Sequence, residues 1–244
     1  MIRRAFRTIL AATRTLATRA PLALLAAFSS ACITAPVDAL IWESVGGGRT
    51  DQTALLQVML SWVVVYLAVA IVFGPLFAAL AVYSARTVHQ GADWSVSGGI
   101  NFALNRYKRM FTPHARAQLA IQIGMQVLVP GIFYLCMYAF VDAIAATDEV
   151  ARSPTTKSKN LTRGRRGTVF WVALPFILLS VPKGLVIDPQ ALSLGLPAFI
   201  ASHALSGLME FWLAAGFAHL YFERVAELKA AEAAKAAVAA APAG

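Results

Sequence analysis

The sequence predicts an all-α membrane protein of about six transmembrane segments, with a Pro-Gly hairpin joining two of them and basic amphipathic helices at the interface. Three observations predict it. The 244 residues are 59% apolar and 14% charged, with a mean hydropathy of +0.66, whereas soluble domains run about 45–50% apolar and about 25% charged. The apolar residues gather into stretches that reach the roughly 17–25 residues a bilayer crossing needs. Lys and Arg outnumber Asp and Glu by 21 to 12, and they fall almost wholly in alternate connections, the bias that orients membrane proteins. The net charge of +9 is therefore a topology signal and points to no nucleic-acid partner.

Residues 2–19 place Ile2, Phe6, Ile9 and Leu16 on one helical face, with Arg3, Arg7 and Arg14 grouped beside it, which predicts an interfacial helix on anionic lipid. A span follows over 21–42. The stretch FSSAC ending at Cys32 is a poor lipoprotein cleavage site, because Ser29 replaces the aliphatic residue and a polytopic chain follows. Cys32 and Cys136 fall in apolar segments without disulfide or zinc spacing and read as packing residues. After a turn at Gly46, Gly47 and Gly48, a second span covers 53–83, with a kink expected at Gly74-Pro75.

Residues 84–112 are too polar to span. Ile100, Leu104, Tyr107 and Phe111 face away from Asn101, Asn105, Lys108 and Arg109, as in a surface helix. Thr112 as N-cap and Pro113 at the first helical position then predict a new segment reaching residue 147, about twice the minimum for one crossing. Two crossings, 113–129 and 131–147 with Pro130 and Gly131 at the outer turn, leave all of the Lys and Arg but Arg49 and Lys183 on the cytoplasmic side. A single crossing divides them almost evenly, so two are preferred; a re-entrant hairpin gives the same count. The basic stretch 151–167, a span over 168–187 interrupted by Pro175 and Pro182, and a last span over 197–220 complete a membrane domain of residues 1–222. Both termini are then cytoplasmic, and 223–244 is an Ala-rich tail. Trp42, Trp94, Trp171 and Tyr221 are expected as interface anchors.

The basic start IRRAFRTIL, the surface helix, VPGI at 129–132, Glu149 and SKNLTRGRR at 158–166 together resemble a bacterial family of six-span membrane proteins. That fold also occurs as the membrane domain of some glycerophosphodiester phosphodiesterases. Such proteins carry a Pro-Gly-Ile hairpin, an acidic residue, then Ser-x-x-Leu-x-x-Gly, whose places Ser158, Leu161 and Gly164 hold. The resemblance implies a fold and topology; the catalytic barrel has no counterpart in this chain.

Asp38, Asp142 and Glu210 fall in or near spans, where an ionisable group is costly enough to be a functional hypothesis. Asp38 lies toward an outer end. At about 1.5 Å per residue, Asp142 and Glu210 sit roughly 17 and 20 Å from the outer side. Gln118, Gln122 and Gln126 follow at helical spacing on the other arm of the hairpin. His203, Gly207 and Glu210 share a face of the last span. These residues define an expected polar layer, either a proton-linked path or interhelical hydrogen bonding; the second is preferred. Arg163, Arg165 and Arg166, with Arg3, Arg7, Arg14, Lys108 and Arg109, are expected lipid-headgroup contacts. His89, His114 and His219 lie near predicted boundaries without metal spacing, and no nucleophile pair, phosphate loop or cofactor fingerprint occurs. The first expectation is a non-catalytic inner-membrane scaffold or accessory subunit with anionic lipids and a membrane-protein partner. Transport of a small or lipidic solute through the polar layer ranks second, and a lipid enzyme using Asp142, His203 and Glu210 third.

Overall fold

The computed structural model describes residues 1–46, 52–125, 127–182 and 194–240. Gly47, Gly48, Arg49, Gln126, Lys183 and the end of the 168–187 span lie outside them, as do the side chains of Asp38 and Trp42. Among the described residues every regular element is a helix. They are α1 (Ile2–Thr18), α2 (Ala20–Gly46), α3 (Gln52–Gln90), α4 (Val96–Met125), α5 (Val129–Tyr138), α6 (Val141–Thr147), α7 (Pro154–Thr162), α8 (Arg166–Pro182) and α9 (Leu196–Ala240). Four stretches, Ala20–Val37, Leu67–Gln90, Val129–Thr147 and Leu196–Ala237, are long and apolar enough to cross a membrane, and Arg166–Leu179 is apolar but shorter. The chain therefore has the make-up of a multi-pass membrane protein.

Helices α2, α3 and α9 pack on one another, α4 runs along α3, α5 and α6 lie against α4, and α1 rests on α8 and α9. Leu22, Val82, Met110, Phe140, Ile144 and Val172 are fully buried between them. Tyr221 belongs to this core, its ring 6.0 Å from that of Phe140, and is not the interface anchor expected of it. Cys136 packs inside, but Cys32 is exposed.

The structure corrects the sequence reading in three further places. Thr112 and Pro113 start no helix, because α4 runs through both. Pro113 leaves the Arg109 carbonyl without its helical donor, at a cost of about 3 kcal/mol. Burial of Ala103, Met110, His114 and Ala117 on either side holds the helix together nonetheless. The turn after α4 also falls earlier than Pro130-Gly131. Val127 and Leu128 donate to the Gly124 and Met125 carbonyls at 3.1 Å, and Leu128 takes a left-handed φ of 58°. Pro130 lies in the first turn of α5, where its missing N–H costs nothing, and Gly131 lies so close to α4 that a Cβ would come within 2.5 Å of the Met125 backbone.

The third correction concerns α1. Its buried residues are the small ones, Ala5, Thr8, Ala12 and Thr15, which recur at helical spacing and let α1 lie close on its neighbours. Ile9 and Leu16 pack partly against the core. Ile2, Phe6 and Leu10 are left more than 60% exposed.

Candidate functional site

The site begins with an interrupted helix. Between α5 and α6 the helix is interrupted at Ala139–Phe140, Phe140 taking φ −99° and ψ 0°, and backbone groups there lose their partners. Ser158 of α7 supplies replacements: its hydroxyl accepts from the Phe140 N–H at 3.2 Å and donates to the Met137 carbonyl at 2.9 Å. The Thr162 hydroxyl reaches the same carbonyl at 3.4 Å. Ser153 caps α7 by accepting from the Thr156 N–H, and Pro154 opens it. This stitched break sets α6, otherwise buried at Val141, Ala143, Ile144, Ala145 and Ala146, so that Asp142 faces α4.

Asp142 meets His114 there. The imidazole is 4% exposed, and its Nδ1 lies 2.8 Å from Asp142 Oδ1. An Nδ1–H donating to the carboxylate satisfies both groups. Nε2 points at α3 beside Gly74, where a Cβ would fall 2.4 Å away. It reaches toward the Ala70 carbonyl without completing a hydrogen bond. One residue on, Pro75 deprives α3 of another backbone donor. The Tyr107 hydroxyl, two turns before His114, donates to the Val72 carbonyl at 2.9 Å, so α4 directs two polar groups at the same stretch of α3.

Glu210 of α9 lies within electrostatic reach of the His114 ring. Gln118 and Gln122 are half-buried one and two turns along α4 from it. His203 lies two turns from Glu210, roughly 10 Å along the helix, and its Nδ1 sits 3.0 Å from the Phe199 carbonyl of its own helix. Of the expected layer, Asp142 pairs with His114 and Glu210 lies near its ring, and His114 is a residue that sequence reasoning assigned to a boundary. The available signal was periodicity, since His114, Gln118 and Gln122 recur every fourth residue. A buried imidazole against a carboxylate can hold or pass a proton. Among the described residues no group of three or more His, Cys, Asp or Glu could bind a metal.

The basic residues divide into two sets. Arg3, Arg7, Arg14, Lys108 and Arg163 are exposed, as headgroup contacts must be. Arg165 and Arg166 turn inward instead: Arg165 pairs with Glu227, and Arg166 lies over the Phe133 ring at 4.8 Å. Arg109 is half-buried, with one guanidinium nitrogen lacking a partner. Glu227 also receives Arg4 at 2.9 Å and Arg224 at 3.5 Å, tying α1, the start of α8 and α9 to one carboxylate. A second buried histidine reinforces this junction. His219 Nε2 lies 2.8 Å from the Thr15 hydroxyl; that hydroxyl gives its proton to the Ala11 carbonyl at 3.0 Å, so the imidazole donates.

Two acids beyond α6 fasten the next connection. Asp148 pairs with Lys157, and Glu149 with Arg106 at 2.7 Å. The Lys157 hydrogen bond holds the Asp148 carboxyl below its ordinary range, and the Arg106 hydrogen bond does the same for Glu149. Both contacts are fully present above about pH 4 and are lost as pH falls through the lowered values. Carboxyl carbon NMR titration in nanodiscs is expected to give both midpoints below the ordinary values for Asp and Glu, with Lys157→Met raising that of Asp148. Midpoints at the ordinary values would contradict these pairings.

No protein-family model, curated protein or solved structure matches this chain.

Proposed function

We propose that the protein is a non-catalytic multi-pass protein of the bacterial inner membrane, a scaffold or accessory subunit of an envelope or transport assembly. The observation that carries this reading is the seating of α1. Its small face and the Arg4–Glu227–Arg165 tie fix it to the bundle, while Ile2, Phe6 and Leu10 stay exposed beside Arg3, Arg7 and Arg14. An amphipathic helix held this way grips an anionic leaflet without inserting. Six membrane segments with both termini cytoplasmic belong to the same proposal, supported by the side preference of Lys and Arg. So does kinship with the six-span family: Ser158 stitches the α5–α6 break, Leu161 is buried and Gly164 has a φ of 78°, physical reasons for those residue types at those places. Purification of the full chain in mild detergent is expected to bring down one stoichiometric membrane protein. A lone monomer in repeated preparations would defeat the reading.

A second reading has its own observation. The His114–Asp142 pair, with Glu210 near it, sits between the Gly74-Pro75 site of α3 and the α5–α6 break, and a broken helix beside titratable groups is a feature of transporters. In liposomes, the double variant Asp142→Asn, Glu210→Gln would then abolish proton-linked solute movement. Unchanged movement would remove the proton link.

A further inference from the structure

A cavity of about 200 Å³ opens where the end of α1 meets the end of α3; of its lining the scaffold reading uses only Arg14, and the polar layer uses none. Arg14, Thr18 and Arg19 line it on one side; Thr87 and the Gly91-Ala92 turn line it on the other. Arg19 is held in place. Its Nε donates to the Thr87 hydroxyl at 3.3 Å, one Nη nitrogen to the Thr18 carbonyl at 3.4 Å, and its guanidinium lies 4.8 Å from the centre of the Trp94 ring. Partial burial lowers its pKa from the ordinary arginine value. Arg14 is exposed, and among the described residues its side chain makes no ion pair or hydrogen bond. Among the described residues no carboxylate lines the cavity. The two hydroxyls have already given their protons to the Arg14 and Ser84 carbonyls, so the arginines are the side chains left to donate.

Two arginines facing one space without an acid call for an anion. Its charge follows from the surroundings. The C-termini of α1 and α3 end here, each bringing about −0.5 of an elementary charge, and α2 begins at Ala20 beside Arg19 with about +0.5, so two guanidinium groups leave a net of about +1.5. That suits an anion of one to two charges, and beside α1 on the leaflet the phosphodiester of a glycerophospholipid is such an anion. We propose that this cavity binds a phosphodiester group, that of a glycerophospholipid headgroup where α1 lies on the leaflet. The choice of a lipid phosphodiester rests on the membrane-surface reading of α1.

The test titrates phosphatidylglycerol onto the full chain in detergent and follows retained lipid by native mass spectrometry. Arg14→Gln, which breaks no internal contact, is expected to weaken retention about fivefold, near 1 kcal/mol per basic residue. Adding Arg19→Lys, which keeps the charge over Trp94 but loses the fork, is expected to weaken it further. The control Arg3→Gln, Arg7→Gln, on α1 outside the cavity, is expected to change it less than twofold. Diethyl phosphate tells the sources apart: displacement of the lipid means that a soluble phosphodiester also fills the site, and no displacement means that the acyl chains are required. Equal losses in the Arg14→Gln protein and the control, or no retained lipid in the parent protein, would overturn the site. Vesicle binding measured on the same proteins separates the two ideas, because a control that leaves vesicles while the parent still holds its lipid upholds the site and the surface grip together.

Discussion

Replacing Asp142 by Ala is expected to destabilise the protein by about 2–3 kcal/mol, the upper part of the range for leaving a buried hydrogen-bonding group without its partner. His114 is fixed in place by α4, on which Met110 and Ala117 are also buried. Its Nε2 already lacks a full hydrogen bond beside Gly74, so the variant leaves both ring nitrogens unsatisfied in a dry setting. Asp142→Asn keeps an oxygen that accepts from Nδ1–H and should lose only about 1–2 kcal/mol. Because Asp142 is 29% exposed against 4% for His114, His114→Ala should cost less through the stranded acid than Asp142→Ala does through the stranded ring. Reversible unfolding in mixed micelles measures all three, and a double-mutant cycle isolates the pair. A loss under about 0.5 kcal/mol for Asp142→Ala, the scale of an ordinary surface change, would mean that the pair holds nothing together.

How much of this site could be read in advance depends on what each residue signals locally. Asp142 and Glu210 were legible because an acid in an apolar run stands out whatever surrounds it. His114 was not, since Pro113 beside it imitates a helix start, and only packing along α3 shows that the helix continues. The α5–α6 break has no Gly or Pro at Ala139–Phe140 to announce it, and its replacement partner, Ser158, comes from 18 residues further along. Helical periodicity located the apolar stripe of α1 but did not say which face meets protein. The face chosen is the one of Ala5, Thr8, Ala12 and Thr15, because close backbone approach gains more contact there than bulk does. Among the arginines, charge alone could not separate Arg163, which is exposed, from Arg165, which is claimed by Glu227 across 62 residues.

Gly207→Val is expected to be the second severe change, for a reason of space. A Cβ on Gly207 would lie 2.7 Å from the Cα and 3.2 Å from the carbonyl oxygen of Ala27. That obstacle is the backbone of α2, which cannot swing aside as a side chain can, and Ala27 is itself fully buried. Overpacking costs about 1–3 kcal/mol where neighbours yield; here α2 and α9 must part along their seam, so the loss should reach or exceed the top of that range. The displacement also carries Glu210, less than one turn further along α9, away from His114. Stability and the polar site should therefore fail together in Gly207→Val, whereas Gly207→Ala, with one methyl to accommodate, should fall between it and the parent protein. Enlarging Ala27 to Val in the parent should reproduce the defect from the opposite helix, because the same gap is filled from its other wall. Unfolding in mixed micelles ranks the variants, and a Gly207→Val protein as stable as the parent would show that α2 and α9 do not approach as closely as their backbones do here.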